Sequence, residues 1–197
     1  MTNTKFRLAV FDQDGVLVLS DALDDMARAL GVFEESAAFT KKLHAGKISL
    51  REVLDGKQAI LHRFPAEKVK AAMTAIQIDP EAKGVVAKLK ELGIKTMLIT
   101  RSFEFVATYT QEQLGIDYIA GSTDKITMDG DVKDEAMLTK ARELNIEPAE
   151  ILAISDSPSD KEMLEKAGLG LTIRPINGME EYFTEIYNLR DIIDYVV

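Results

Sequence analysis

Hydrophobic positions fall into two alternating patterns along this chain. Short, largely apolar runs occur at residues 8–11, 96–99, 151–154 and 170–173, with a weaker one at 118–120. Runs of that length predict buried strands. Between them, apolar residues return at three- and four-residue spacing, the period of a helix with one buried face. Capping chemistry marks the helix ends. Asp79-Pro80 predicts a start, and Gly93 a stop after Leu92. Further helices are expected from near Ser102 to Leu114-Gly115, from about Asp134 to Leu144, and from Ser157-Pro158 to Ala167-Gly168. Asp129-Gly130 reads as a hairpin turn between residues 125–128 and Asp131-Val132. Strands alternating with helices predict an α/β fold with a parallel sheet.

One region breaks the alternation. From Ser20 to about Ile78 only helical spacing is found: Ala22-Leu23-Met26-Leu30, Phe39-Leu43, Leu50-Val53-Leu54-Leu61 and Val69-Met73-Ile76. Ser49 with Glu52 three residues on reads as a capping box for the third of these. The expected architecture is a three-layer, Rossmann-like parallel sheet core built from residues 1–19 and 79–197. A small helical cap, residues 20–78, is inserted after strand 1.

Composition narrows the partners. The 197 residues are 46% hydrophobic and 29% charged, ordinary for a globular chain, with a formal net charge of −9. No Lys/Arg run suggests a nucleic-acid surface, and no apolar run reaches membrane-spanning length. With no cysteine, disulfides, thiolate metal sites and cysteine nucleophiles are excluded. A polar start leading directly into strand 1 leaves no room for a signal peptide. The expectation is a cytoplasmic protein, monomer or homodimer, without nucleic-acid or membrane partners.

The chemistry concentrates at predicted strand ends. Leu8–Phe11 runs into Asp12-Gln13-Asp14-Gly15, two carboxylates one residue apart that project to the same side while the strand lasts. Open α/β sheets hold ligands at strand carboxyl ends, and a divalent cation or a cation-held anion would relieve the repulsion between the two acids. Thr100 follows the run at 96–99, Lys133 lies at a helix start, and Asp156 with Asp160 follows the run at 151–154. Singly these are a strand-end turn, a helix cap, a surface lysine and first-turn acids. Together they make an acidic cluster suited to Mg2+, beside a hydroxyl and a lysine suited to phosphate oxygens.

In that order, Asp12-Gln13-Asp14-Gly15, Thr100, Lys133 and Asp156-Ser157-Pro158-Ser159-Asp160, with Lys133 placed 23 positions before Asp156, the chain resembles the haloacid dehalogenase superfamily of phosphohydrolases. Within it the phosphoserine phosphatase group is most similar, and the likeness runs from strand 1 to the segment around residues 189–193. The resemblance implies that Asp12 attacks phosphorus, that Asp14 protonates the leaving group and then activates water, and that Thr100 and Lys133 bind the phosphoryl group. It implies Mg2+ held by Asp12, the Asp14 main-chain carbonyl and Asp156, with Asp160 supporting the site. On the cap, Asp21 stands where that group has a Glu for the substrate ammonium, and Lys57 where it has an Arg for the substrate carboxylate. Arg101-Ser102 replaces two glycines, so Arg101 either fills that space or lends a cation to the ligand. Val16 replaces a Thr and Ser159 an Asn.

The function so implied is Mg2+-dependent hydrolysis of a small phosphorylated metabolite through an aspartyl-phosphate, phosphoserine or a related phospho-acid being expected. Phosphoryl transfer to a small-molecule acceptor, or regulatory binding of a phosphometabolite with weak catalysis, stays open. His44 lies on the cap near the expected substrate face and reads as a surface histidine, with contact to the leaving group as the alternative, and His62-Arg63 suits a helix end. Gly46-Lys47 lacks the upstream glycine of a P-loop, and Asp129-Gly130-Asp131 is too sparse for a calcium loop.

Overall fold

The computed structural model describes residues 4–197. Strands β1 (Leu8–Phe11), β2 (Lys95–Phe103), β3 (Tyr118–Ser122), β4 (Ile151–Ser155), β5 (Leu169–Ile173) and β6 (Thr184–Ile186) form one sheet in the order β3-β2-β1-β4-β5-β6. Every pairing is parallel. Helices α1 (Ala22–Ala29), α2 (Phe33–His44), α3 (Leu50–Leu61) and α4 (Ala66–Ala72) lie between β1 and α5 (Ala82–Glu91), and α6 (Glu104–Leu114), α7 (Asp131–Glu143), α8 (Lys161–Lys166) and α9 (Ile193–Val196) complete the fold.

The two-residue period of β1 organises the core. Ala9 and Phe11 join α5, α6 and the C-terminal segment on one face, through Val85, Val86, Leu89, Ala107, Leu114, Ile192 and Val196. Leu8 and Val10 face the other way, against Met137 and Ala141 of α7 and Met163 and Leu164 of α8. A separate apolar cluster unites the helices inserted after β1 with the start of α6: Leu23, Met26, Leu50, Leu54 and Leu61 pack with Phe103 and Val106. Ser49 and Glu52 form the anticipated capping box of α3.

The helix expected from near Ser102 to Leu114-Gly115 is α6, starting at Glu104; β2 runs on to Phe103 with irregular register between Ile99 and Phe103, and the Ser102 amide bonds the Thr100 hydroxyl at 3.0 Å. One local expectation is corrected, at Asp129-Gly130. Asp129-Gly130 does not close a hairpin. Gly130, at φ 41, instead precedes α7, whose first turn carries Asp131 and Asp134 beside the positive end of the helix. The edge strand β6 was not anticipated; it is three residues long and buries only Ile186.

Entry to and exit from the inserted helices lie side by side. Val18 bridges Ile78 in antiparallel fashion, the Leu19 amide donates to Gln77 O at 2.8 Å, and the Asp79 amide donates to Leu17 O at 2.9 Å. Buried Asp25 of α1 fastens both linkers, accepting from Ser20 Oγ at 2.5 Å and from the Gln77 amide at 3.1 Å. Charge-assisted bonds of this kind contribute about 1.5–3 kcal/mol each. Asp25→Ala should therefore lower stability by about 2 kcal/mol and speed hydrogen exchange at the Gln77 amide. Exchange at Gln77 as slow as in the parent would show that Asp25 does not hold the linkers.

Candidate active site

Strand register delivers the site. Phe11 lies opposite Leu98 on one side and Ile154 on the other, and the Asp12 amide donates to Ile154 O at 2.9 Å. The residues following β1 and β4, together with Thr100 of β2, therefore meet at one end of the sheet. Strand order reverses between β1 and β4, the crevice where open α/β sheets bind ligands.

Lys133, in the first turn of α7, is only 1% exposed. Its Nζ donates to Asp12 Oδ1 at 2.9 Å and to both oxygens of Asp160 at 2.8 Å. Ser155 Oγ adds a bond of 2.7 Å to Asp160 Oδ2. Burial alone would lower the lysine pKa, but Asp12 and Asp160 outweigh it and hold the ammonium charged. Burial pushes the Asp12 carboxyl up; Lys133 opposes this and Asp160 reinforces it. Both oxygens of Asp160 are thus engaged by protein donors.

Asp14 accepts the Ala22 amide at 2.9 Å. Burial, then repulsion from Asp21 and Asp12, raises its carboxyl well above the usual range. Between the acids, Gly15 adopts φ +74, and a Cβ there would fall 2.0 Å from Asp156 Oδ2, so only glycine lets this turn lie against that carboxylate. The Asp156 carboxylate has no side-chain hydrogen-bond or ion-pair partner among the described residues; only its own main-chain amide lies close enough to favour the charged form. Burial, with Asp12 and Asp160 nearby, lifts its pKa to about 7. A buried acid under net repulsion and without an ion-pair partner suits a divalent metal. Among the described residues no three His, Cys, Asp or Glu side chains form a group that holds a metal. The donor set fits an ion that takes one or two carboxylates and fills its remaining positions with main-chain, water or phosphate oxygens, as Mg2+ does.

These residues open onto a cavity of about 750 Å3 roofed by the inserted helices. Asp12, Asp14, Thr100, Arg101, Ser102 and Asp156 line it from the core. Asp21, Asp24 and Lys57, with Thr40 and His44, line it from above. Of the ten residues singled out from the sequence, only Lys133 and Asp160 are not in the lining; they stand behind Asp12. The Ser102 hydroxyl is buried and unpartnered, as is that of Thr40, leaving both available to a ligand. Lys57 does not present a free cation: its Nζ lies 3.1 Å from Asp24 Oδ1 and 3.6 Å from Asp21 Oδ2.

Sequence reading missed two contributors. Asp24 was not recognised because its role depends on α3 packing beside α1. Arg174, at φ 49 just beyond β5, donates to Gly15 O at 2.8 Å, Val16 O at 2.7 Å and Asp79 Oδ2 at 3.0 Å. It ties the turn after Asp14 to the exit linker of the inserted helices, a contact across more than ninety residues that no local signal announces.

The model of the haloacid dehalogenase-like hydrolases matches residues 6–168, and the chain belongs to that family. Within it, the chain is similar to phosphoserine phosphatases. It is 29% identical to the phosphoserine phosphatase of Methanocaldococcus jannaschii, covering 98% of each chain. It is 30% identical to the one from Archaeoglobus fulgidus, over 86% of this chain but only 53% of that longer protein. A solved phosphoserine phosphatase, captured as a phospho-aspartyl intermediate analogue, superposes with a TM-score of 0.81 at 26% identity, covering 98% of this chain and 99% of its own. No helix among the described residues is long and apolar enough to cross a membrane.

The raised carboxyls have a consequence for stability. Asp12, Asp14 and Asp156 bind protons more tightly folded than unfolded. For Asp156 the excess spans from its ordinary value of 3.8 to about 7. The folded state thus holds more protons across that window, and stability falls as pH rises through it. In chelator the protein should melt at a lower temperature at pH 8 than at pH 5, with a smaller difference in Asp156→Asn. A melting temperature that climbs with pH over this range would contradict the assignment. Separately, Arg174→Met should cost about 2 kcal/mol in denaturant unfolding; an unchanged midpoint would mean that the Arg174 contacts contribute nothing.

Proposed function

We propose that the chain is a Mg2+-dependent phosphomonoesterase that works through an aspartyl-phosphate on Asp12, with phosphoserine or a related small phospho-acid as substrate. The observation that carries this reading is the charged, buried Lys133 held against Asp12 while Asp14, two residues on, favours its protonated form. The likeness to phosphoserine phosphatases over the whole chain supports the substrate class.

The chemistry follows from these placements. Asp12 attacks phosphorus, forming a P–O bond as the ester P–O bond breaks, and Asp14 gives its proton to the departing alkoxide. A water then attacks the phosphoryl group, Asp14 takes its proton, and Asp12 is regenerated as inorganic phosphate leaves. Lys133 restrains the Asp12 carboxylate and offsets its charge, lowering the repulsion a phosphate dianion meets. Thr100 and Ser102 face the cavity as hydroxyl partners for the phosphoryl oxygens. Asp12 and Asp156, with the main-chain carbonyl of Asp14, would hold Mg2+. When bound, that ion supplies positive charge to the transferring group. Asp21 faces the cavity as the partner for a substrate ammonium.

Phosphate release with Mg2+ should be measured across small phosphomonoesters, phosphoserine included. Asp12→Asn should abolish release, because an amide forms no acyl-phosphate. Asp14→Asn should slow it by about 10^2- to 10^4-fold. Full activity in Asp12→Asn would exclude the covalent route. A parent enzyme inactive on every ester would exclude the phosphatase reading.

A further inference from the structure

Two Lys or Arg side chains line the cavity, Lys57 and Arg101, and they differ in what they can still bind. Lys57 is 4% exposed. It faces Asp24 and Asp21, while Asp21 also accepts the Asp24 amide at 2.9 Å and Ser36 Oγ donates to Asp24 at 3.3 Å. Two carboxylates against one ammonium leave this corner with a net charge of about −1 when all three are ionised. A third carboxylate brought there would meet repulsion and an already engaged lysine.

Arg101 is the opposite case. Its side chain is 34% exposed, and its one ionic partner among the described residues is half-exposed Asp129, whose oxygen lies 3.6 Å from the guanidinium, beyond hydrogen-bonding distance. Its backbone is fixed, the carbonyl accepting Ser122 Oγ at 2.7 Å, so the side chain projects from a held strand. Thr100 and Ser102, the cavity hydroxyls, flank it in sequence. A guanidinium on a fixed base with its fork unused is the group suited to a two-pronged carboxylate contact.

We propose that Arg101, not Lys57, receives the carboxylate of a phospho-acid substrate, and that Asp21, Asp24 and Lys57 together form an acidic corner for its amine. This rests on the phosphomonoesterase reading and assigns the ends of the leaving group within it. Lys57 is then a positioning residue that holds Asp21 and Asp24 together. The cation is transferred from the roof to the core, beside the reacting strand.

Phosphoserine and phosphoethanolamine differ only by the carboxylate, so their ratio of kcat/KM reads this contact alone. In Arg101→Met the ratio should fall about 10- to 100-fold, the loss of a charged hydrogen-bonded pair. Arg101→Lys should restore part of it, keeping the charge without the fork. In Lys57→Gln both esters should slow together, with the ratio held within about threefold, since the corner faces the amine that both share. An unchanged ratio in Arg101→Met overturns the proposal. So does equal loss on both esters, which would place Arg101 on the phosphoryl group, and so does a ratio lost in Lys57→Gln. If the parent releases phosphate from neither ester, the reading of phosphoserine as substrate fails on its own, and the same ratio is then read as Kd by calorimetry. Tighter binding of phosphoserine that Arg101→Met removes would sustain the assignment of Arg101; no preference would end it.

Discussion

A single buried ammonium holds the reactive end of this fold together. Lys133 reaches from α7 to Asp12 after β1 and to Asp160 in the turn before α8, joining three segments distant in sequence. Taking such charges out of water is unfavourable unless each finds partners, and removing one partner of a buried pair typically costs about 3–5 kcal/mol. The geometry meets that requirement, with Asp160 engaged on both oxygens by Lys133 and again by Ser155. The arrangement also biases Asp12, whose Oδ1 is tied to Lys133.

Electrostatics inside the crevice differ from those of the surface. The chain carries nine more acidic than basic charges, which repel a phosphate at long range. Close in, Asp156 makes no ion pair among the described residues, and burial drives it towards its neutral form although Lys133 opposes this from a distance. The negative charge around Asp156 is thus not balanced by the protein's own cations. A divalent cation placed there would remove the repulsion among the acids and create attraction for a phosphoryl group at the same time.

Much of this was legible in the residues and some was not. Leu8–Phe11 followed by two acids and a glycine reads as a strand ending at a site because period-two alternation and turn chemistry are local. Ser49 and Glu52 announce their cap for the same reason. Lys133 looks like any surface lysine until the order of motifs gives it a role. Asp24 and Arg174 could not be found at all, since their partners are supplied by packing. The misread turn at Asp129-Gly130 shows the limit of dipeptide signals: a glycine at positive φ serves a hairpin or precedes a helix equally well, and the acids of the next turn decide. The edge strand β6 offers no pattern of its own and exists because β5 has an open side.

The paired linkers, residues 17–19 beside 77–79, give the molecule a particular evolutionary freedom. An excursion whose ends already touch closes at nearly the same entropic cost over a wide range of lengths. Its helices share an apolar cluster with Phe103 and Val106 alone among the buried residues after the exit linker, so most of their sequence can drift while the sheet and the Asp12–Lys133 pair are left as they are. The part of recognition carried by Asp21 and Asp24 is thereby free to change apart from the sheet, whereas Arg101 sits on β2 among the groups that face the reaction. New molecular tastes can be tried in the roof without re-inventing the reaction beneath it.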